Sequence, residues 1–487
     1  TGLSFKFKQI GQDIDGEAAG DNSGASVSLS SDGSTIAIGA IRNDGNGIDS
    51  GHVRIYQKEN DSWVKLGQDI DGEWEYNFSG TSVSLSADGS IVAIGADYND
   101  GNDGNINNSG HVRIYQNNNG SWNQIGEDID GEAESDFSGQ SISLSADGST
   151  VAIGATGNDD NGDRSGHVRL YQNNNGTWEK IGQDIDGEAP NDYSGNTVSL
   201  SADGSIVAIG APYNNGNSSG HIRIFQNNNG SWAQVGDDIN GEATNDGSGV
   251  SVTLSSDGSI VAIGATGNDG NGNSSGHVRI YQKENDSWVK LGQDINGEAA
   301  GDRSGHSVSL SADGSIVAIG AIGNNGNGTS SGHVRLYQND NGSWTQIGGD
   351  IDGETQYDYS GGTVSLSADG STIAIGATGA DRVGSGHVRI FQNVGTASTL
   401  SDSTITASAL NTLDTANNGA IDASSIQTIT GSINDINTAY ASNAITGLDN
   451  AAVTLSESNI TATVLNTLDT ATIGAIDASS VQTITGS

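Results

Sequence analysis

Cysteine and methionine are both absent from this 487-residue chain, and only two prolines occur in it. Without cysteine there are no disulfides and no Cys-His nucleophile pair. The compartment stays open, because a fold of this size buries enough core to do without cross-links. With so little proline, almost every strand amide is free to pair. Apolar runs are short, none approaching the ~20 residues that span a membrane. Positive charge is scarce: 18 lysines and arginines stand against 60 acidic residues, a formal charge of −42. That balance excludes a nucleic-acid partner, since phosphate binding needs a basic surface. It suits solubility at high salt, or the binding of divalent cations. The chain starts inside a strand motif without an initiator methionine, as expected of a piece processed or excised from something longer.

What is there is repetition. Seven modules read roughly W-x-x-I-G-x-D-I-D-G-E, then S-G-x-S-V-S-L-S-A-D-G-S-I-V-A-I-G-A, then S-G-H-V-R-I-Y-Q. The S-G-H histidines, His52, His111, His167, His221, His277, His333 and His387, recur every 54 to 59 residues, long enough for a four-stranded propeller blade. Apolar residues alternate in short runs broken by Gly, Asn, Asp and Ser, the period of half-buried strands. In the second module the expected strands are Ser82 to Ser86, Ile91 to Ala96, His111 to Tyr115 and Trp122 to Ile125. The chain enters on a fourth-strand phrase, Phe7-Lys8-Gln9-Ile10-Gly11, and leaves the repeats on a third strand, His387 to Phe391. Phe5 to Ile10 are therefore expected to complete the last blade and close the ring.

From about residue 398 no Lys, Arg or His remains, and Ile405 to Ser432 recurs almost verbatim as Ile460 to Ser487. Ala409 to Leu413 has helical spacing, while Ala420 to Asp422 and Gln427 to Thr430 read as short strands. A half-period of about 27 residues suggests stacked helix and strand units. The expected fold is thus an all-β seven-bladed propeller over residues 1–396, followed over 397–487 by a smaller, solenoid-like α/β repeat that begins a longer array.

The segments Asp136-Phe137-Ser138-Gly139-Gln140-Ser141-Ile142 and Val151-Ala152-Ile153-Gly154-Ala155 resemble the FG-GAP repeat of integrin-type β-propellers. Phe78-Ser79-Gly80 and Phe137-Ser138-Gly139 match the Phe-Gly element loosely, with Tyr193 and Tyr359 in the same slot, and Gly210-Ala211-Pro212 matches the second half fully. The resemblance covers residues 1 to about 393. It is greatest to serine-rich variants in large secreted or surface proteins of marine bacteria, cyanobacteria included, and so implies an extracellular or cell-surface module. The chain departs from the family in one respect. Integrin-type repeats often carry an Asp-rich calcium loop between the first and second strands, but here Ser86-Ala87-Asp88-Gly89-Ser90 reads as a type I turn without metal.

Loops of an up-and-down blade alternate between the two faces of the disc, so the long fourth-to-first and second-to-third loops share one face. The second-to-third loops offer Asp44, Asn46 and Asp49, then Asp100, Asn102 and Asp103, then Asp160 and Asp163. Their spacing matches the first half of a calcium loop, without the bidentate Glu of an EF-hand, and makes them candidate Ca²⁺ ligands. A second acidic set recurs in the fourth-to-first loop as Asp13, Asp15, Gly16, Glu17 and Asp21. Its alternative reading is a turn at Asp15-Gly16 with Glu17 paired to the third-strand arginine, of which Arg54 is the first of seven. The repeated histidines read as packing elements. Aromatics on this face include Phe78, Phe137, Tyr193 and Tyr359, which share one repeated slot and read as fillers between blades, and Trp74, Tyr76 and Tyr357, the candidate ligand-binding residues.

These features point to a non-catalytic surface module that mediates adhesion through its long-loop face, with Ca²⁺ as candidate cofactor and a surface glycan or another surface protein as partner. Membrane insertion is not expected. One alternative is a structural component of a surface layer, sheath or filament. Another is a propeller glycosidase or lyase, which needs unlike groups converging once. For that reading the only asymmetric candidate is His306, expected beside Arg303 in a fourth-to-first loop.

Overall fold

A computed structural model of the chain describes residues 5–100, 107–214, 217–379, 384–394, 398–399, 403–416, 421–442, 445–448 and 450–486. Seven antiparallel sheets follow one another in sequence and form the blades of a propeller. In the first blade the strands are Ser23–Leu29, Thr35–Ala40, His52–Glu59 and Ser62–Lys65. The expected second-module strands are found at Ser82–Leu85, Ile91–Ala96, His111–Asn118 and Ser121–Gln124. A short fifth segment was not foreseen. Ile70–Asp71 folds back onto the third strand of its own blade, placing Ile70 opposite Val53.

Serine makes the seams. Ser26 Oγ donates to the Gly80 carbonyl of the next blade at 2.7 Å, and Ser82, Ser141, Ser251 and Ser307 repeat the bond around the disc. Thr363 Oγ1 donates to Gly24 O at 2.9 Å and closes the circle. The glycine of each Gly-Ala element is required there, since a Cβ on Gly39 would run into the Gly80 carbonyl and the Ser26 hydroxyl. Fourth-strand tryptophans tie the outer rim: Trp122 Nε1 donates to Leu66 O at 2.8 Å and Trp178 Nε1 to Ile125 O at 2.9 Å. Second strands are buried along nearly their whole length, and Ile36, Ile38, Ile94 and Ile153 are almost wholly inaccessible to water.

The seventh blade takes its outer strand, Phe7–Gln9, from the start of the chain. Ile10 N donates to Ile390 O at 2.9 Å, and Ile14 stands opposite Val388. Closure through Phe5 to Ile10 is therefore found as expected.

By its contacts the chain divides into Gln9–Phe391 and a second unit of Gln392–Ser487 with Thr1–Lys8. Among the described residues of the second unit are three helices, Ala407–Ala416, Ile433–Ala441 and Ala462–Ala471. Its strands pair in parallel, Thr404 with Thr428 and Ile429 with Val453. One coil therefore takes 24 residues rather than about 27. Leu410, Ile429, Ile436 and Val453 pack its core.

Candidate ligand-binding face

In every blade the third-strand arginine is spent within the fold. Arg54 Nη2 donates to the Asp15 carbonyl at 2.6 Å, its guanidinium lies over the Tyr56 ring, and its Nη1 is 3.7 Å from Glu17. The expected fork onto a carboxylate is thus an ion pair beside a stronger bond to a backbone carbonyl. Asp21 is spent too. Its Oδ2 accepts from the amides of Glu17 and Ala18 at 3.1 and 2.9 Å, which closes the acidic fourth-to-first loop as a turn.

The second-to-third loops close in the same self-contained way. Asp44 Oδ1 accepts the Asp49 amide at 2.9 Å, Asp100 Oδ1 accepts the Asn108 amide at 2.9 Å, and Asn46 Nδ2 donates to the Gly72 and Glu73 carbonyls. Asp163 is exposed. Asp160 is drawn towards His167 and groups with Glu132 and Asp184. Asn102 and Asp103 lie outside the described residues. In the first-to-second link, Asp88 Oδ1 accepts from Ser86 and Ser90, which closes the expected turn.

Of the expected ligand-binding aromatics, Trp74 is 69% exposed, Tyr76 50% and Tyr357 47%. Tyr76 and Tyr357 occupy left-handed backbone, with φ of 63° and 67°. Tyr357 lines a hollow of about 390 Å³ with Gln356, Tyr359, Gly379 and Gly384. The structure does not gather Trp74 and Tyr76 there.

A different cleft, of about 370 Å³, opens across the second, third and fourth blades. Tyr98 and Phe137 stand on one side, with ring centroids 5.2 Å apart, and Tyr193 and Tyr213 on the other at the same spacing. Between them the third blade has Gly157 at the position that is Tyr98 in the second and Tyr213 in the fourth, so the missing side chain leaves the gap. Arg164 borders the gap and donates to the Tyr193 hydroxyl at 3.1 Å. Polar groups complete the lining: Gln140, to which the Thr156 hydroxyl donates, Asn196, and Asp97, which accepts from the Thr81 hydroxyl at 2.8 Å. Burial pushes the Asp97 carboxyl up to about 6.

Gln140 and Asn196 also line the central channel, where one first-strand position reads Ala25, Thr81, Gln140, Asn196, Val250, His306 and Gly362 around the ring. The cleft and the channel therefore share residues. His306 lies on the strand Ser304–Leu310, facing the channel rather than in a loop, because Arg303 ends the turn and the strand begins directly after it. Inclined ring pairs on two sides, with interplanar angles of 58° and 68°, and amides and a carboxyl between them suit a ligand that is partly apolar and rich in hydroxyls. Tyr98 lies outside the repeated aromatic slot, and the slot shared by Phe137 and Tyr193, which in the sequence points to filling between blades, borders this cleft.

The FG-GAP repeat family matches residues 14–56 and 129–171, the first and third modules of the ring. No curated protein matches the chain. Among solved structures, one from Bacteroides uniformis, provisionally assigned as a 6-phosphogluconolactonase, is similar over 68% of this chain and 86% of its own, with 13% identity and a TM-score of 0.48. Likeness at that level carries no argument about function. Among the described residues, no helix is long and apolar enough to cross a membrane.

Proposed function

We propose that this propeller, a ring of FG-GAP-type modules, is a non-catalytic extracellular interaction module that binds a surface glycan or the glycan of another surface protein. FG-GAP propellers serve as surface or protein-interaction modules in general, and are usually non-catalytic. The observation that carries the finer reading is the cleft of Tyr98, Phe137, Tyr193 and Tyr213 on the long-loop face, opened by Gly157 and floored by Gln140, Asn196 and Asp97. Trp74 and Tyr76, exposed on loops of the same face, would extend the contact. Ca²⁺ at Asp44, Asp49, Asp100, Asp160 and Asp163 belongs to the same reading.

The test is binding of the whole chain to glycan arrays and to cells, compared with Tyr98→Ala/Tyr213→Ala and with Trp74→Ala/Tyr76→Ala. Loss in the first pair supports the cleft, and loss in the second alone moves the site to the outer loops. Absence of any binding that these substitutions reduce overturns the adhesive reading. Hydrolysis of a bound glycan, abolished by His306→Asn, would establish the enzyme alternative instead.

A further inference from the structure

The seven repeated histidines take no part in that reading, yet they are among the most buried polar groups in the chain, between 0 and 3% exposed. In the second blade, His111 Nδ1 is buried with no hydrogen-bond partner among the described residues. Three carboxylate oxygens face it: Asp128 Oδ2 at 3.8 Å, Glu73 Oε2 at 3.9 Å and Asp130 Oδ1 at 4.0 Å. These distances are too long for hydrogen bonds. They match the spacing of donors on a shared ion, since two ligands each about 2.1 Å from a metal lie roughly 3 to 4 Å apart. A buried nitrogen without a hydrogen-bond partner among the described residues, facing carboxylates, calls for an explanation, and a ligand shared between them would supply one. The sites of Asp130 and Glu73 are about one-third open to solvent, which gives an ion a way in.

Charge distinguishes one seam from another. Where a module has lysine four residues before the aspartate, that lysine already neutralises it: Lys65 Nζ is 2.5 Å from Asp69, Lys180 Nζ 2.6 Å from Asp184 and Lys290 Nζ 2.5 Å from Asp294. At the His111 seam the residue is Gln124, a neutral donor to Asp128 at 2.6 Å. Arg113, 3.7 Å from Glu73 Oε1, is the cation paired with this group among the described residues. Glutamine stands likewise beside Asp13, Asp238 and Asp350, and histidine groups with carboxylates at each of these seams.

We propose that the seam formed by His111, Glu73 and Asp128 binds a divalent transition ion such as Zn²⁺, and that the other glutamine-bearing seams are built for the same purpose. One imidazole nitrogen with carboxylate oxygens suits Zn²⁺ and its neighbours, whereas Ca²⁺ and Mg²⁺ take oxygen donors. Glu73 comes from the loop entering the blade, and His111 and Asp128 from the blade itself, so the ion ties adjacent modules together. This site is separate from the calcium loops and from the aromatic cleft.

The test uses the whole chain, stripped with chelator and titrated with Zn²⁺ and with Co²⁺ as a spectroscopic substitute, in excess Mg²⁺ to occupy the exposed acidic surface. Two variants carry it. Asp128→Asn removes a ligand while keeping the acceptor for Gln124, and Gln124→Lys installs the lysine that three blades already have. Each is expected to lower metal uptake by one ion per chain and to leave uptake at the remaining seams intact, which also reports that the ring has folded. Co²⁺ is expected to shift imidazole proton resonances paramagnetically, with the His111 set missing in both variants. The proposal is overturned by no uptake, by uptake without an imidazole signal, or by equal uptake in all three proteins.

Discussion

Asp97→Asn should stabilise the propeller, and only at neutral pH. The residue is 6% exposed, and burial lifts its carboxyl to about 6 from the ordinary 3.8, although the Thr81 hydroxyl and its own backbone amide pull the other way. Protonated, the acid can donate to Thr81 Oγ1, whose own hydrogen then goes to the Phe78 carbonyl 2.9 Å away. The folded state thus holds this proton more tightly than the unfolded chain does. Its stabilising contribution is complete below pH 4 and is lost as pH rises through about 6. Ionising a carboxyl raised that far costs about 3 kcal/mol. An asparagine amide can donate to Thr81 as the protonated acid does, without titrating. Urea unfolding followed by tryptophan fluorescence is therefore expected to show equal stability of parent and variant at pH 3.5, and an advantage of about 2 to 3 kcal/mol for the variant at pH 7.5. An advantage of the same size at both pH values, or none at pH 7.5, would show that burial does not hold the proton on Asp97.

Three further outcomes can be measured on the same material. Ile10→Ala and Ile14→Ala empty buried positions in the closing blade and should each cost about 2 to 5 kcal/mol, while deleting residues 5–10 should also lower solubility by baring the strand His387–Asn393; a truncated chain that melts like the parent contradicts the closure. Gly154→Ala places a methyl against the Gly195 carbonyl and the Ser141 hydroxyl, and a loss of about 1 to 3 kcal/mol is expected in thermal unfolding. Millimolar Ca²⁺ should raise the melting temperature relative to chelator if the acidic loops bind it, and an unchanged temperature removes calcium from the reading.

The architecture could be read in the sequence because each blade states it again. Period-two runs located the strands of the second module to within a few residues, and the fourth-strand phrase at Phe7 revealed the closure. Ile70–Asp71 was not legible. A two-residue strand has no period, and Asp-Gly after it reads equally well as a turn. The coil length of the second unit is not legible because its near-verbatim repeat spans more than one coil, and the shorter step shows in the pairing of Thr404 with Thr428 and of Ile429 with Val453.

The cleft was obscured by the very reasoning that recovered the ring. Residues sharing a repeated slot were assigned to packing, and that holds for Ser26, Trp122 and Arg54, whose bonds recur from blade to blade. It fails for Phe137 and Tyr193. Their slot has left-handed backbone, with φ of 55° and 54°, and lies at the surface end of the blade, so its side chains can border open space as well as fill a seam. The signal is in a second position, three residues after the glycine of the isoleucine-glycine pair of the second strand. There the second and fourth modules have Tyr98 and Tyr213, the third has Gly157, and the first, fifth, sixth and seventh have Arg42, Gly267, Gly323 and Gly379. An aromatic on each side of a glycine, in three successive blades, is a break in symmetry that packing does not require. In a ring whose scaffold is made by what repeats, a ligand that binds once must be recognised by what does not, and between the second and fourth blades this position alternates between a tyrosine and no side chain at all.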